Sequence, residues 1–392
     1  MSGSKKEWHL ATRLVRGGLT RTGHSETSEA VFLNSGYVYG SAQEAEQSFD
    51  GTLSRYVYSR YANPTLGIFE ERLRAIEGAE ACRGTASGMA AVSAAILCKI
   101  RAGERVVASQ ALFGSCAWIL TDLLPRYGVE VQLVDGKDLS AWEKALSKPT
   151  AFVFLETPSN PTLELIDIAA VAELTHQAGG LLVVDNVFAT PLLQRPMELG
   201  ADIVVYSATK HIDGQGRTLG GAVLCSNQFL NDHLQPYLRH TGPALSPFNA
   251  WVLLKGLETL EVRVARHIEN AEKVASFLEG HANIARVIYP GLPSHPQHDL
   301  CKKQMLAGGP IVAFEPKGGK EGAFALMNKL QLIDISNNLG DAKSLICHPW
   351  TTTHASRPAE EKIAMGITEG LLRLSVGLED GRDLVEDLAE AL

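Results

Sequence analysis

The sequence predicts an α/β fold with a mostly parallel sheet, and two features of the chain lead to this prediction. Between about residues 84 and 226, short apolar runs alternate with helical stretches, which supply the crossover connections that parallel strands require. Several of the apolar runs are almost continuous valine, leucine and isoleucine, as is typical of strands covered on both faces. The predicted strands span residues 105–108, 129–134, 151–155, 181–184, 203–206 and 221–225.

The segment before this alternation has a different character. The first sixty residues are rich in Gly, Ser, Thr and Arg and show no sustained period, so we expect an arm and not a domain. We expect regular structure to begin after Asn63-Pro64. Proline is favoured in the first turn of a helix, because its missing N–H would have no hydrogen-bond partner there. Apolar residues from Leu66 to Ile76 then recur at helical spacing up to Gly78, which predicts a helix.

The last third of the chain begins with a long predicted helix, whose apolar face runs from Leu260 to Leu278. Beyond Gly291, short predicted strands at 311–314 and 372–376 are mixed with helices, which indicates a smaller α+β domain. We therefore divide the chain into an arm at 1–60, a large domain at 61–255 and a C-terminal domain at 256–392.

Composition excludes several classes of protein. The formal charge of −8 argues against a general binder of nucleic acids or anionic membranes, because both are acidic. The six cysteines are scattered without a C-x-x-C pair, which suits neither a zinc site nor a disulfide framework. The N-terminal region has no apolar signal core, and no apolar run approaches the length of a transmembrane helix. We expect a cytoplasmic protein without a bound metal, a nucleic-acid partner or a membrane partner.

Lys210 and Asp185 indicate the chemistry of the chain. Lys210 lies in the run 207–216, just after a predicted strand, and Asp185 ends the apolar run 181–184. A lysine can form a Schiff base with an aldehyde cofactor, and a carboxylate can keep a pyridine nitrogen protonated. Because ligands bind at the carboxyl ends of parallel strands, we expect both side chains at one edge of the sheet. The pair predicts pyridoxal phosphate as the cofactor and amino-acid chemistry as the function.

A phosphate site is predicted where Ser87-Gly88 precedes an alanine-rich helical stretch. A helix start offers free N–H groups and a positive dipole end, and glycine lets a phosphate approach the backbone. Ser207 and Thr209, on either side of Lys210, offer further hydroxyl donors. Each residue has an ordinary alternative role, as a helix cap, a turn residue or a surface charge. The prediction depends on all of them occurring together in this order.

Five motifs lie at 58–65, 87–89, 184–186, 207–216 and 374–380. Together they resemble the Cys/Met-metabolism family of pyridoxal-phosphate enzymes, over the chain from about residue 10 to its end. The resemblance implies fold type I of the pyridoxal-phosphate-dependent transferases, with a mostly parallel seven-stranded sheet, helices on both faces and a smaller C-terminal α+β domain. It also implies a homotetramer, a dimer of dimers, in which the N-terminal arm contacts a neighbouring subunit and two subunits share each active site.

The resemblance also assigns roles to individual residues. Lys210 would be the Schiff-base lysine and proton shuttle, and Asp185 would pair with the pyridine nitrogen. Arg373 would hold the substrate α-carboxylate, which suits a planar guanidinium. The remaining roles are phosphate binding by Gly88, Met89, Ser207 and Thr209, phosphate binding from a neighbouring subunit by Tyr58 and Arg60, and contacts near the ring hydroxyl or the carboxylate by Asn160 and Asn338.

Phe113 departs from many relatives, which carry a tyrosine that stacks on the cofactor ring and assists the leaving group. Phenylalanine can stack but offers no hydroxyl. An acyl ester leaves as a carboxylate, which is a weak base and needs little protonation. The chain is therefore expected to act on an O-acylhomoserine, and the resemblance implies sulfide as the second substrate. The pattern most resembles members that use the succinyl ester.

Other activities remain open at this point. Within the family, cysteine can replace sulfide, the acetyl ester can replace the succinyl ester, and elimination can replace exchange. Ser115 and Arg239-His240 differ from the residues of methionine-cleaving members, which speaks against that activity. A hypothesis of another class is a non-catalytic interaction protein on the same fold, which Lys210, Asp185 and Arg373 disfavour.

Overall fold

The computed structural model describes residues 8–392, and the first seven residues of the expected arm lie outside this range. Twelve strands are present in the described chain. They are β1 (Ala81–Thr85), β2 (Arg105–Ser109), β3 (Glu130–Val134), β4 (Phe152–Glu156), β5 (Leu181–Asp185), β6 (Ile203–Ser207), β7 (Gly221–Cys225), β8 (Ile284–Ile288), β9 (Ile311–Pro316), β10 (Asp334–Ile335), β11 (Leu345–Cys347) and β12 (Leu372–Ser375).

The α-helices, numbered in chain order, connect these strands and cover them. They are α1 (Leu10–Arg16), α2 (Ala42–Asp50), α3 (Pro64–Glu77), α4 (Gly88–Leu97), α5 (Gly114–Trp118), α6 (Leu124–Arg126), α7 (Leu139–Ala145), α8 (Ile168–Gln177), α9 (Thr190–Leu193), α10 (Asn227–Phe229), α11 (Gln235–Thr241), α12 (Pro247–Glu258), α13 (Leu260–Glu279), α14 (His298–Gln304), α15 (Gly319–Lys329), α16 (Ala359–Ala364) and α17 (Gly381–Ala391).

The large sheet has seven strands in the order β1-β7-β6-β5-β4-β2-β3. The five strands from β6 to β3 run parallel, whereas β7 runs antiparallel to both of its neighbours. The predicted mostly parallel seven-stranded sheet is therefore confirmed. All six predicted strands of this region are present, but β1 was missed. Its sequence, Ala-Cys-Arg-Gly-Thr, has no β-branched apolar run to indicate a strand.

Helices cover both faces of the large sheet. Val107 and Val153 belong to one buried cluster, together with residues of α3, α8 and α12. Their chain neighbours Val106 and Phe152 belong to a second buried cluster, together with residues of α4. Successive residues of one strand point to opposite faces, so both faces are buried. This double burial explains the continuous apolar runs that made the strands recognisable.

The second sheet has five strands in the order β10-β11-β12-β9-β8. The long helix α13 packs with α15 and α17 against it, through a third buried cluster that includes Val274, Phe314 and Leu388. The predicted mixture of short strands and helices in the last third of the chain is thus observed. The boundaries proposed at residues 60 and 255 stay predictions.

The N-terminal segment contains two short helices that its sequence does not announce. Helix α1 buries Leu14 alone, and α2 buries no residue. Without an apolar face to bury, neither helix produces a periodic pattern. Ser41 nevertheless caps α2 by accepting a hydrogen bond from the backbone N–H of Glu44, which satisfies a free donor at the helix start.

Three further observations concern function. No helix within residues 8–392 has the length and apolar character needed to cross a membrane. The same residues contain no group of three or more His, Cys, Asp or Glu side chains that is arranged to hold a metal ion. The six cysteines are buried free thiols.

Candidate active site

A cavity of about 440 Å³ lies at the carboxyl ends of β4, β5 and β6, between the large sheet and the C-terminal sheet. Ligand sites in open α/β sheets lie at such strand ends. Nine of the predicted site residues line this cavity, and these are Gly88, Met89, Phe113, Asn160, Asp185, Ser207, Thr209, Lys210 and Arg373.

Lys210 reaches the cavity from the connection between β6 and β7. Its Nζ donates a hydrogen bond to Asn338 Oδ1 at 2.6 Å, so Asn338 contacts the lysine directly. Burial, followed by the nearby charge of Arg373, lowers the pKa of Lys210 to about 8. A larger fraction of this amine is therefore neutral near neutral pH than for an exposed lysine. A neutral amine is the form that attacks an aldehyde.

The backbone around Lys210 is held on several sides. Its carbonyl accepts a hydrogen bond from the N–H of Gly214 at 2.8 Å, and its N–H donates to the carbonyl of Ser207 at 3.2 Å. The buried guanidinium of Arg263 donates to the carbonyls of His211 at 2.7 Å and Ile212 at 3.2 Å. The connection that carries the lysine is thus fixed to β6 at one end and to α13 beside it.

Asp185 ends β5 at the cavity wall, as the sequence predicts. Its Oδ1 accepts a hydrogen bond from the N–H of Val187 at 3.1 Å. Burial raises the pKa of this carboxyl. A buried carboxyl gains most from a cationic partner, which a protonated pyridine nitrogen would be.

Glu156 is a cavity residue that the sequence analysis missed. It ends β4 and lies directly opposite Asp185 in the parallel register of β4 and β5. Burial raises the pKa of Glu156, and the nearby charge of Asp185 raises it further. Its position in the sequence could have identified it, because Leu155-Glu156 ends an apolar strand just as Val184-Asp185 does.

The start of α4 forms the predicted phosphate region. Ser87 caps the helix by accepting a hydrogen bond from the N–H of Ala90 at 3.1 Å. Gly88 and Met89 are the first two residues of the helix, and their N–H groups have no acceptor within it. A Cβ atom on residue 88 would lie 2.5 Å from the Cβ of Ser207, so only glycine permits this close approach.

Arg373, on β12, brings the C-terminal sheet to the cavity, and its side chain is almost fully buried. Its Nη1 donates to Asn160 Oδ1 at 3.0 Å, and its Nη2 donates to the carbonyls of Asn337 at 2.9 Å and Asn338 at 3.1 Å. The Nε atom is buried without a protein partner. The guanidinium is therefore oriented by the protein while one donor remains for a ligand.

Tyr58 and Arg60 do not reach this cavity within one chain. The Arg60 guanidinium donates to the carbonyl of Arg239 and lies over the rings of Tyr58 and Tyr61, at 5.3 and 4.9 Å from their centroids. Tyr58 is 41% exposed. Their contact with the phosphate of a neighbouring subunit stays a prediction.

The cavity fits pyridoxal phosphate. Lys210 offers an amine to an aldehyde, and Asp185 offers a carboxylate to a ring nitrogen. Phe113 offers an aromatic face, and the glycine-dependent approach of α4 to Ser207 leaves backbone donors for a phosphate. The unpartnered Nε of Arg373 is available to a substrate carboxylate.

The fold and the cavity define an enzyme of fold type I that uses pyridoxal phosphate. The chain belongs to the Cys/Met metabolism PLP-dependent enzyme family, whose sequence pattern matches residues 11–392. The predicted family, fold class and cofactor are therefore confirmed.

Similar proteins carry several activities. The O-succinylhomoserine sulfhydrylase of Mycobacterium tuberculosis is 58% identical over 386 residues, covering 97% of this chain and 95% of that protein. An L-methionine gamma-lyase of Porphyromonas gingivalis is 42% identical, over 98% of this chain and 96% of that protein. A Campylobacter jejuni crystal structure, described as a proposed O-acetylhomoserine (thiol)-lyase with N'-pyridoxyl-lysine-5'-monophosphate, has a TM-score of 0.93 and 33% identity, covering 98% of this chain and 99% of that chain.

Proposed function

We propose that this chain is an O-succinylhomoserine sulfhydrylase, which exchanges the succinyl ester group of O-succinylhomoserine for sulfide. The products are homocysteine and succinate. The observation that carries the proposal is the meeting of Lys210, Asp185 and Arg373 in one cavity where the residue at the predicted ring-stacking position is Phe113 and not tyrosine. The 58% identity to a sulfhydrylase over nearly the whole chain supports the same substrates.

The chain supplies binding and proton transfer. Arg373 would bind the substrate α-carboxylate, and this contact fixes the α-carbon relative to Lys210. Bound pyridoxal phosphate supplies an electron sink for that carbon. With a pKa lowered to about 8, the Lys210 amine can take a proton from carbon and later return it near neutral pH. Asn338 orients the amine through its 2.6 Å hydrogen bond.

The leaving group suits a cavity wall to which its own chain supplies no free phenol. Tyr206 is the one tyrosine among the described residues of the cavity wall, and its hydroxyl donates to Glu77 at 2.5 Å. That hydroxyl is therefore engaged in the core. In the exchange, the bond between the γ-carbon and the ester oxygen breaks, succinate leaves with the electron pair, and hydrosulfide forms the new carbon–sulfur bond. Succinate is a weak base and leaves without strong acid assistance.

The test compares two esters and two thiols with the purified, cofactor-loaded protein. Homocysteine from O-succinylhomoserine and sulfide should be the fastest product, exceeding that from the acetyl ester. Cystathionine as the main product with cysteine would instead indicate a cystathionine γ-synthase, and ketobutyrate from methionine would indicate a lyase. Lys210→Ala serves as the control for reaction outside the site. No homocysteine from either ester with sulfide would refute the proposal.

The predicted homotetramer with shared sites is part of the same proposal. Its support is the position of Arg60, which lies outside the cavity of its own chain. Light scattering on the purified protein tests the subunit number directly. A monomer with full activity would contradict shared sites.

A further inference from the structure

Glu156 links two loops of the candidate site. Its side chain is 4% exposed and ends β4 at the cavity wall. Its Oε2 accepts a hydrogen bond from the N–H of Phe113 at 2.9 Å, and its Oε1 accepts one from the N–H of Asn160 at 2.8 Å. We propose that Glu156 is a positioning residue, whose two oxygens hold the loop of the ring-stacking Phe113 and the loop of Asn160 in register.

The contact with Asn160 continues as far as the lysine. Asn160 Oδ1 accepts from Arg373 Nη1 at 3.0 Å, and Arg373 Nη2 donates to the carbonyl of Asn338 at 3.1 Å. Asn338 Oδ1 in turn accepts from Lys210 Nζ at 2.6 Å. One hydrogen-bonded series therefore joins Glu156 to the arginine and to the lysine. A displacement of the Asn160 loop would move the guanidinium that faces the substrate.

The two contacts are strongest with an ionised carboxyl. A carboxylate has only acceptor positions, whereas a protonated carboxyl presents one O–H donor. The hydroxyl oxygen of the protonated form is the weaker acceptor, so one of the two loop contacts would weaken. Burial and the neighbouring Asp185 oppose ionisation of Glu156, while the two N–H donors and Arg373 favour it. The N–H groups of the two loops therefore favour the ionised form of the carboxyl that positions these loops.

Glu156→Gln tests this role, because it keeps the shape and replaces one acceptor by an NH₂ donor. We expect kcat to fall about tenfold to a hundredfold, as for loss of a hydrogen bond to a charged group, and KM for the ester to rise because the guanidinium is displaced. The visible circular dichroism of bound pyridoxal phosphate should change, because the ring orientation is altered. Glu156→Asp keeps the charge but is too short to reach both loops, so its effect should be intermediate.

Asp387 provides a matched control far from the cavity. It is a buried carboxylate that accepts from the backbone N–H groups of Gln331, Leu332 and Ile333 in the C-terminal domain. Asp387→Asn removes the same kind of contact and should lower the thermal unfolding temperature. It should change neither kcat nor the cofactor dichroism, because it touches no cavity residue.

The outcomes separate this inference from the proposed function on which its site depends. Unchanged kcat and dichroism in folded Glu156→Gln and Glu156→Asp would overturn the positioning role. A loss of thermal stability alone, as expected for Asp387→Asn, would also overturn it. If wild-type protein binds pyridoxal phosphate but makes no homocysteine, the proposed function fails, while the dichroism still tests Glu156.

Discussion

Two ends of the cavity wall offer different groups to a bound anion. The arginine end, formed by Arg373 with Asn160, Asn337 and Asn338, holds a buried cation whose hydrogen bonds are almost complete. The phosphate end, formed by Ser87, Gly88, Met89, Ser207 and Thr209, offers hydroxyls and backbone N–H groups. Lys210 and Arg373 are the only cations among the described residues of the cavity wall. The phosphate end therefore contains no cation of its own.

A single chain supplies a cation at the arginine end but none at the phosphate end. A substrate carboxylate carries one charge, which Arg373 would balance in the proposed reaction. A phosphate dianion carries about twice that charge and is best held by charge-assisted hydrogen bonds. We therefore expect the missing cation, Arg60 of a second copy, at the phosphate end. Variants at either end test whether the two ends bind their anions in these different ways.

The largest effect is expected at the arginine end. Arg373→Lys keeps the charge but loses the planar fork that contacts three asparagines, and a buried charge is left poorly paired. kcat/KM for the ester should fall about a hundredfold to a thousandfold, as for disruption of a buried charge pair. Steady-state kinetics measure this change. Arg286→Lys, at an exposed ion pair with Glu315, is the control and should be silent. A change below threefold at Arg373 would contradict its role.

A smaller effect is expected from Arg60→Ala, which leaves the cavity of its own chain intact. The dissociation constant for pyridoxal phosphate should rise about tenfold to a hundredfold, because a charge-assisted hydrogen bond is lost. At a pyridoxal phosphate concentration too low to load Arg60→Ala alone, mixing it with Lys210→Ala should restore about a quarter of the wild-type activity, since half of random dimers contain one intact site. No recovery after proven subunit exchange would show that the sites are not shared.

The pH dependence of cofactor capture separates Lys210 from an exposed lysine. Because the pKa of Lys210 is lowered to about 8, the amine is protonated and unreactive below that pH. The rate at which apoprotein captures pyridoxal phosphate should rise about tenfold per unit up to pH 8 and then level off. Absorbance after rapid mixing measures it, with free N-acetyl-lysine as the reference. Arg373→Met removes a nearby charge and should shift the midpoint upward, and a midpoint near that of free lysine in wild type would contradict the assignment.

The smallest effect on the proposed reaction is expected from Phe113→Tyr, between the two ends. Succinate needs little acid assistance, so kcat for the succinyl ester with sulfide should stay within about threefold. Elimination from methionine, whose thiolate is a stronger base, should increase because a hydroxyl becomes available. Product analysis with both substrates measures the two rates. A large loss with the ester alone would show that the absent hydroxyl is not the reason for ester use.

The sequence located the lysine and the aspartate because both follow buried apolar strands, and double burial makes such strands conspicuous. It missed β1, whose Arg83 and Gly84 interrupt any apolar run. It also missed Glu156, whose position at the end of an apolar strand was visible but whose contact with Phe113, 43 residues away, was not. The contact of Asn338 with Lys210 spans 128 positions, and no local pattern encodes such a distance.

The anchored connection around Lys210 has a consequence for catalysis. Hydrogen bonds from Gly214 and Arg263 hold the backbone beside the lysine, and Gly340 packs so closely that a Cβ there would lie 2.6 Å from the N atom of His211. The Cα atom of Lys210 is therefore held in place. For the proposed proton transfer by Lys210, we therefore expect the amine to move by rotation about the bonds of its four-carbon stem while the Cα atom stays in place.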